Sequence, residues 1–207
     1  MKLFYKKGAC SLAPHIVMAE LNMVYEIEEV DLKNKTSPSG DFYKINPNGS
    51  VPALKMEDGN VLTESAVIMQ YLAEQKPEAG LVPKYGTSER YRCLEWLNFI
   101  ATDLHKNFSP LFFGPMIVQN PEGQAEMKKF YVEMLKKKIA VASARLGEKD
   151  YVLGSTFTVP DAYLFTVLSW GQFVGVDLSP YANITAYLKR VGERPGVQKA
   201  MKEEGMI

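Results

Sequence analysis

The chain has 207 residues, which allows one large domain or two small ones and excludes a third. Hydrophobic residues make up 46% and charged residues 23%, a composition that excludes a disordered chain and a fibrous repeat and supports a core without disulfides. Lys and Arg together number 24, as do Asp and Glu, so the chain lacks the net positive charge that favours binding to nucleic acid.

Targeting signals and metal-binding patterns are both missing from the sequence. It turns polar soon after Met1–Tyr5 and contains no run of about 18 apolar residues, so we expect neither a signal peptide nor a membrane span. The two cysteines, Cys10 and Cys93, are too few for a disulfide framework and fit a reducing compartment, so we expect a cytoplasmic location. Together with two isolated histidines they do not predict a metal site.

Short strands and helices alternate over the first 80 or so residues. Residues 2–5 predict a strand and residues 11–22 a helix, and the alternation over residues 25–30 predicts a second strand, parallel to the first because a helix intervenes. The Asp58–Gly59 pair between apolar runs predicts a hairpin, and residues 63–76 predict another helix. The order βαβ followed by ββα predicts a thioredoxin-like α/β domain.

The remainder of the chain has helical spacing and no convincing strand. Prolines and glycines at residues 77–87 predict a linker, so we place the two domains at 1–79 and 87–207. Thr158, Pro160 and Asp161 form a strong helix start, because Thr158 and Asp161 can bond each other's backbone N–H groups. The predicted helices cover residues 88–107, 121–146, 159–173, 184–191 and 196–203. We therefore expect an all-α helical bundle as the C-terminal domain.

Cys10 is the first candidate for chemistry, because it lies where the first turn meets the first helix. Unpaired N–H groups and the positive end of the helix dipole lower the pKa of a thiol at such a place, which favours the thiolate. The alternative is a small buried hydrophobic residue, and position alone does not decide between the two. No second cysteine follows within Cys10–Ala13, which disfavours a self-contained disulfide oxidoreductase. Cys93 is expected in the core or in an interface.

Two backbone features of the first domain could bind a ligand. Thr63–Glu64–Ser65 offers a hydroxyl, a carboxylate and free N–H groups at a helix start, which together can hold a ligand carboxylate and a neighbouring ammonium group. The alternative is a helix cap provided by Ser65. If the Val51–Pro52 bond is cis, Val51 turns its N–H and C=O groups outward to pair with an extended peptide, and the alternative is a tight loop.

The second domain offers a row of polar residues. Asn98, Thr102 and His105 fall at i, i+4 and i+7, so they are expected to share one face of a long helix. Asp103 lies on a neighbouring face beside apolar residues, which indicates a helix packed against a partner. The other histidine, His15, is expected to form a local hydrogen bond rather than to act as an acid or a base.

Short motifs in a fixed order run along the whole chain. They are Met1–Tyr5 with Gly8–Leu12, Asn46–Pro47 with Gly49 and Val51–Pro52, Leu62–Glu64, Glu95–Asn98, Leu104–Lys106, and Phe157–Val159 with Asp161–Phe165. In order and spacing these motifs resemble the bacterial beta class of cytosolic glutathione S-transferases. The resemblance implies a thioredoxin-like domain followed by a helical domain, a homodimer, no permanently bound cofactor, and glutathione as a co-substrate held mostly by the first domain.

The resemblance also implies roles for five residues of the first domain. Cys10 would face the sulfur of glutathione, with which it can form a mixed disulfide. Val51 would pair with the cysteinyl backbone, and Glu64 and Ser65 would hold the γ-glutamyl group. Lys35 matches a family lysine that reaches the glycyl end. Some relatives have Gly at the position of Ser65, a difference that we expect to be harmless.

In the second domain the resemblance makes His105 the second polar group near the sulfur, and thus a candidate catalytic residue beside Cys10. Further residues would border the glutathione site, in part across the dimer, namely Asn98, Thr102, Asp103 and Leu104. The stretch Phe112–Met116 departs from some relatives and is expected to help line the pocket for the acceptor.

The function implied by the resemblance is conjugation of reduced glutathione to hydrophobic electrophiles, as in detoxification. The free thiol of glutathione has a pKa near ~8.5, like that of cysteine, and is only a few per cent ionised at neutral pH, so N–H donors that favour its thiolate would accelerate the reaction. Two alternatives stay open. One is glutathione-dependent thiol–disulfide exchange through a Cys10 mixed disulfide, and the other is a non-catalytic protein that binds glutathione or another ligand.

Overall fold

The computed structural model describes residues 1–207, which form two compact units. The first unit comprises Met1–Pro83 and Val191–Ile207, and the second comprises Lys84–Arg190. The boundary near residue 83 lies inside the predicted linker. The predicted range 87–207, however, assigned the last helix to the helical domain, whereas in the structure this helix packs against the first helix of the chain.

A four-stranded mixed sheet organises the first unit. Its strands are β1 (Lys2–Tyr5), β2 (Glu26–Glu29), β5 (Ala53–Lys55) and β6 (Val61–Thr63), in the order β2-β1-β5-β6. As predicted, β2 is parallel to β1, and β5 and β6 form an antiparallel hairpin. A small hairpin of β3 (Thr36–Ser37) and β4 (Gly40–Asp41), followed by the 3₁₀ turn Phe42–Lys44, was not predicted from the sequence.

Three α-helices complete the first unit. They are α1 (Leu12–Glu20), α2 (Ser65–Glu74) and α9 (Pro195–Glu203), and a 3₁₀ turn at Pro77–Ala79 follows α2. Both α2 and α9 pack against α1, so α1 is buried on nearly all sides. This helix therefore directs even its polar His15 into the interior.

The second unit is helical throughout, as predicted. Its elements are α3 (Ser88–Phe99), a π-helical segment (Ile100–His105), α4 (Lys106–Ile117), α5 (Pro121–Leu146), α6 (Val159–Ser169), α7 (Gly171–Val174) and α8 (Ala182–Gly192), the last of which ends beyond the boundary of the unit. The helix α6 is buried all round, and the predicted capping box between Thr158 and Asp161 is present. None of the helices has both the length and the apolar composition needed to cross a membrane.

Candidate active site

Cys10 lies at the end of a tight turn between β1 and α1. Gly8 has a φ of +67°, a conformation that glycine adopts at little steric cost. Ala9 donates its N–H to the Lys6 carbonyl at 2.9 Å, and the Ser11 hydroxyl accepts from the Lys6 N–H at 3.1 Å. The serine thereby closes the turn and makes no side-chain cap on α1. The turn places Cys10 immediately before the start of α1.

The thiol of Cys10 donates to the carbonyl oxygen of Val51 at 3.1 Å. Burial raises the pKa of this thiol to about 11, although a hydrogen bond with Ser65 and the N–H groups of Cys10 and Ser11 act to lower it. The expectation of a lowered Cys10 pKa is therefore wrong. Loss of solvation raises the pKa of the thiol more than the N–H groups at the helix start lower it, so the thiol is protonated at neutral pH.

Val51 presents its backbone beside this thiol. The Val51–Pro52 bond is cis, as the sequence-based hypothesis of a peptide-binding backbone requires. The preceding loop is held by Asn46, whose side chain donates to the Ser50 carbonyl at 2.7 Å and accepts from the Asn48 N–H at 3.1 Å. The Val51 carbonyl accepts from the Cys10 thiol, so a peptide that pairs with this backbone would compete with Cys10 for the carbonyl oxygen.

Glu64 and Ser65 form the start of α2. Glu64 is exposed, makes no side-chain cap and has a φ of +69°, an unfavourable conformation for a residue other than glycine. Ser65 is only 5% exposed and hydrogen-bonds with the Cys10 thiol. Since Glu64 occupies the N-cap position, the alternative that Ser65 caps the helix is wrong. Strain of this kind is common at binding sites, and the free N–H groups of α2 suit an anion.

Lys35 reaches toward the same part of the first unit. Its amino group donates to the Gly49 carbonyl at 2.7 Å, two residues before Val51, and its own φ is +56°. The loop that carries it is held by Glu28, which accepts from the Ser37 hydroxyl at 2.6 Å and from the Ser39 hydroxyl at 2.7 Å. Glu28 thus fixes the position of the Lys35 loop.

The charge of Glu28 is expected to stabilise the fold. Burial by itself would raise its pKa, but hydrogen bonds from Lys2, Ser37 and Ser39 outweigh burial and lower it to about 2. Because the folded-state pKa lies below the unfolded value, the stabilisation is present above about pH 4.5 and is lost as the pH falls toward 2.

We expect Glu28→Gln to lower the free energy of unfolding by about 2 kcal/mol at pH 7, since charged hydrogen bonds become neutral ones. Urea titrations at several pH values should show this difference shrinking below about pH 4.5. Glu26→Gln is the matched control, because Glu26 also faces Lys2, at 3.4 Å, but is 74% exposed. An equal loss in both variants, or a loss that does not vary with pH, would contradict the assignment.

His105 is the functional candidate of the second unit. Its Nδ1 lies 2.7 Å from the hydroxyl of Tyr163, and its ring makes an edge contact with Trp170 at 5.0 Å between centroids. Burial lowers the pKa of His105 to about 4, and the nearby Lys106 charge adds to the effect. The imidazole is therefore neutral at pH 7 and offers one donor and one acceptor nitrogen.

Asn98 and Thr102 share an exposed face of the long helix as expected, but His105 departs from it. Asn98 and Thr102 are exposed, and the Thr102 hydroxyl lies 3.0 Å from the Asn98 carbonyl oxygen. His105 instead faces Tyr163, because the π-helical segment Ile100–His105 changes the number of residues per turn. π-Helical segments often occur at functional sites, so the irregularity itself marks this part of the helix.

Asp103 and Leu104 point into the packing of the unit. The Asp103 carboxylate pairs with Lys138 of α5 and lies 3.1 Å from the Thr102 hydroxyl, whose single hydrogen can be donated either to it or to the Asn98 carbonyl. The partner expected for Asp103 is thus another helix of the same chain. Leu104 is fully buried, so its side chain cannot touch a ligand. The glutathione contacts expected of Asp103 and Leu104 would have to come from the backbone or from the exposed part of the Asp103 carboxylate.

Several expected neighbours are brought together within the first unit, where Cys10, Val51 and Ser65 are linked by hydrogen bonds and Glu64 lies next in sequence. Sequence reasoning missed Tyr163, the partner of His105, because α6 was interpreted only as a core helix. A buried tyrosine hydroxyl needs a hydrogen-bond partner, and that rule could have identified it. No group of three or more possible ligand side chains could hold a metal ion.

Family comparison accounts for both units. The family model described as "Glutathione S-transferase, N-terminal domain" matches residues 8–75, and that described as "Glutathione S-transferase, C-terminal domain" matches residues 104–195. The predicted fold class, a thioredoxin-like α/β domain followed by an all-α domain, is confirmed.

Individual relatives agree with this match over the full length. Glutathione S-transferase GstA of Escherichia coli O157:H7 is 43% identical over 207 residues, with 100% of each chain covered. The solved beta-class glutathione S-transferase of Sphingomonas chungbukensis is 41% identical, with a TM-score of 0.92 and 100% of each chain covered. A sphingomonad glutathione S-transferase complexed with glutathione is 39% identical, with a TM-score of 0.91 and the same coverage. The chain therefore belongs to the glutathione S-transferase family.

Proposed function

We propose that the protein conjugates reduced glutathione to hydrophobic electrophiles, with glutathione bound by the first unit. One observation carries the proposal: the Cys10 thiol, the Val51 backbone and the buried Ser65 form one hydrogen-bonded cluster at the start of α2. A related protein of 39% identity has been solved in complex with glutathione, which supports the choice of ligand.

In this proposal each part of glutathione meets a complementary group of the cluster or of the neighbouring residues Glu64 and Lys35. The γ-glutamyl carboxylate would accept from the N–H groups that begin α2 and from the Ser65 hydroxyl, and its ammonium would pair with Glu64. The cysteinyl backbone would pair with Val51 as an added strand does. Lys35 would meet the glycyl carboxylate. The cysteinyl sulfur then lies toward Cys10.

Cys10 acts in this proposal as a hydrogen-bond donor. Its raised pKa keeps it protonated at neutral pH, and a protonated thiol is a poor nucleophile. When the cysteinyl backbone of glutathione pairs with the Val51 carbonyl, the S–H of Cys10 is released from that oxygen and can donate to the glutathione thiolate. The glutathione thiol loses its proton to solvent, and the thiolate then forms a C–S bond to the electrophilic carbon of the acceptor as the bond to the leaving group breaks.

The second unit carries an aromatic surface suited to an apolar molecule. Trp170 contacts His105, Phe108 and Phe112 in edge-on geometry, with centroid distances of 5.0, 5.7 and 5.8 Å. Phe112 and Phe113 are about half exposed, so this aromatic group has a face available to an apolar molecule. The neutral His105 can hydrogen-bond to a polar substituent of a molecule bound on this surface. We propose a cytoplasmic location, which two free cysteines support, and a homodimer, which the family resemblance implies.

The test is glutathione consumption with a chlorinated nitroaromatic acceptor. We expect Cys10→Ala to lower kcat/KM about tenfold, because one hydrogen bond to a charged sulfur is lost. Cys10→Ser keeps a donor and should stay within about threefold of the natural protein. Cys93→Ala is the matched control, because Cys93 is a buried thiol of the second unit that takes no part in the proposed site.

Other outcomes would redirect the proposal. Loss of activity in Cys10→Ser equal to that in Cys10→Ala would make the sulfur itself essential, as the thiol–disulfide exchange alternative requires. If the natural protein consumes no glutathione with the acceptor but reduces a mixed disulfide, exchange replaces conjugation. If it does neither and still binds immobilised glutathione, the non-catalytic alternative holds.

A further inference from the structure

The residues after α9 lie against the turn that carries Cys10. Glu204 accepts through Oε2 from the Gly8 N–H at 2.9 Å and approaches Nδ1 of His15 through Oε1 at 3.0 Å. Gly8 precedes Cys10 by two residues. The glutamate is only 4% exposed and His15 is fully buried, so these contacts are shielded from water.

Two neighbours of Glu204 cover the same turn. The Lys7 amino group bonds to the Gly205 carbonyl, and the Met206 side chain lies over Gly8, where an added Cβ would be 3.5 Å from its Cε. The turn's internal bonds join Lys6 to Ala9 and Ser11, and they set its shape but not its orientation toward Val51. Contacts from residues 204–206 hold the turn in place from outside it.

Because Glu204 is buried, losing its hydrogen bond to the Gly8 N–H would be energetically costly. A carboxylate removed from water must be satisfied by hydrogen-bond donors, and a shift of the turn would take the Gly8 N–H away from it. The opposite side of His15 is occupied by Glu203, whose Oε2 lies 2.8 Å from Nε2 and also accepts from the Tyr25 hydroxyl at 2.7 Å. Both glutamates therefore anchor α9 to α1, but only Glu204 bonds to the turn.

We propose that Glu204 is a positioning residue for the glutathione site, which holds the Gly8–Cys10 turn so that the Cys10 thiol lies beside Val51, bonded to its carbonyl until glutathione binds. The inference rests on the proposed function for its catalytic consequence. Glu204 acts through the turn and does not itself touch glutathione. Its role differs from that of Glu203, which anchors the helix without positioning the thiol.

The test compares Glu204→Gln with Glu203→Gln. Glutamine replaces one carboxylate oxygen with an NH₂ group and removes the charge, so the bond to the Gly8 N–H is weakened and, where His15 donates through Nδ1, one of the two bonds is lost. In Glu204→Gln we expect alkylation of Cys10 by iodoacetamide at pH 8 to be about tenfold faster, because the thiol leaves its buried bond, and kcat/KM for glutathione to fall about fivefold. Glu203→Gln should match the natural protein within about twofold in both measurements, although both variants melt at lower temperature.

Equal alkylation rates in the two variants would overturn the proposal and leave Glu204 a structural anchor. If Glu204→Gln does not fold, Glu204→Asp, whose shorter side chain keeps the charge but cannot reach both Gly8 and His15, must accelerate alkylation at least about threefold or the proposal fails. Alkylation does not depend on conjugation. Faster alkylation in Glu204→Gln with no transferase activity in the natural protein would uphold the positioning and reject the proposed function.

Discussion

We expect Asp161→Ala to lower the free energy of unfolding by about 4 kcal/mol, because it removes a buried acceptor from several donors at once. Asp161 is fully buried at the start of α6. Its carboxylate accepts from the Val152 N–H at 2.8 Å, from the N–H and hydroxyl of Thr158 at 2.9 and 2.8 Å, and from the Tyr187 hydroxyl at 3.1 Å. Alanine leaves these donors unpaired in the interior of the second unit.

The measurement is urea unfolding, with Asp161→Asn as the control that keeps the size and one acceptor oxygen. Burial raises the pKa of Asp161 to about 6 against these hydrogen bonds. The folded state therefore holds the proton more tightly than the unfolded state between about pH 4 and pH 6, and stability contributed by the protonated form is lost as the pH rises through that range. The difference in the free energy of unfolding between the natural protein and Asp161→Asn should become smaller from pH 4 to pH 7. A loss below about 1 kcal/mol in Asp161→Ala would contradict the assignment.

Predictions from the sequence succeed here where the signal is local. The capping box of Thr158 and Asp161 needs residues three apart, and the parallel pairing of β1 and β2 follows from one helix between two strands.

The long helix of the second unit shows the limit of local rules. It runs through Pro110 and Pro115 to Ile117, although prolines are helix breakers. Tertiary packing against α5 holds α4 in place despite the lost N–H donors.

Properties that depend on residues far apart in the sequence could not be predicted from the sequence. The helix-start argument for Cys10 included the dipole but not the desolvation, which depends on where the fold places Val51 and Ser65. The periodicity of the last helix indicates an apolar face without saying which helix covers it. For the same reason His15, expected to bond locally, instead meets Glu203 and Glu204 nearly 190 positions along the chain.

Glu64→Gly is expected to separate glutathione binding from stability. Glu64 has a φ of +69°, where a side chain costs about 1 kcal/mol or more and glycine does not, so the variant should gain about 1 kcal/mol in the free energy of unfolding. The same change removes the carboxylate proposed to hold the γ-glutamyl ammonium. Loss of one charged hydrogen bond, about 2 kcal/mol, should raise the KM for glutathione about 30-fold.

Glu64→Gln is the control, because it keeps the strained side chain and removes only the charge. We expect a similar rise in KM without the gain in stability, measured by glutathione titration of initial rates and by urea unfolding of the same preparations. A KM within about twofold of the natural value in both variants would remove Glu64 from the site. A gain of stability confined to the glycine variant, with weaker binding in both, would show that the backbone strain at Glu64 persists because it presents the carboxylate to the ligand.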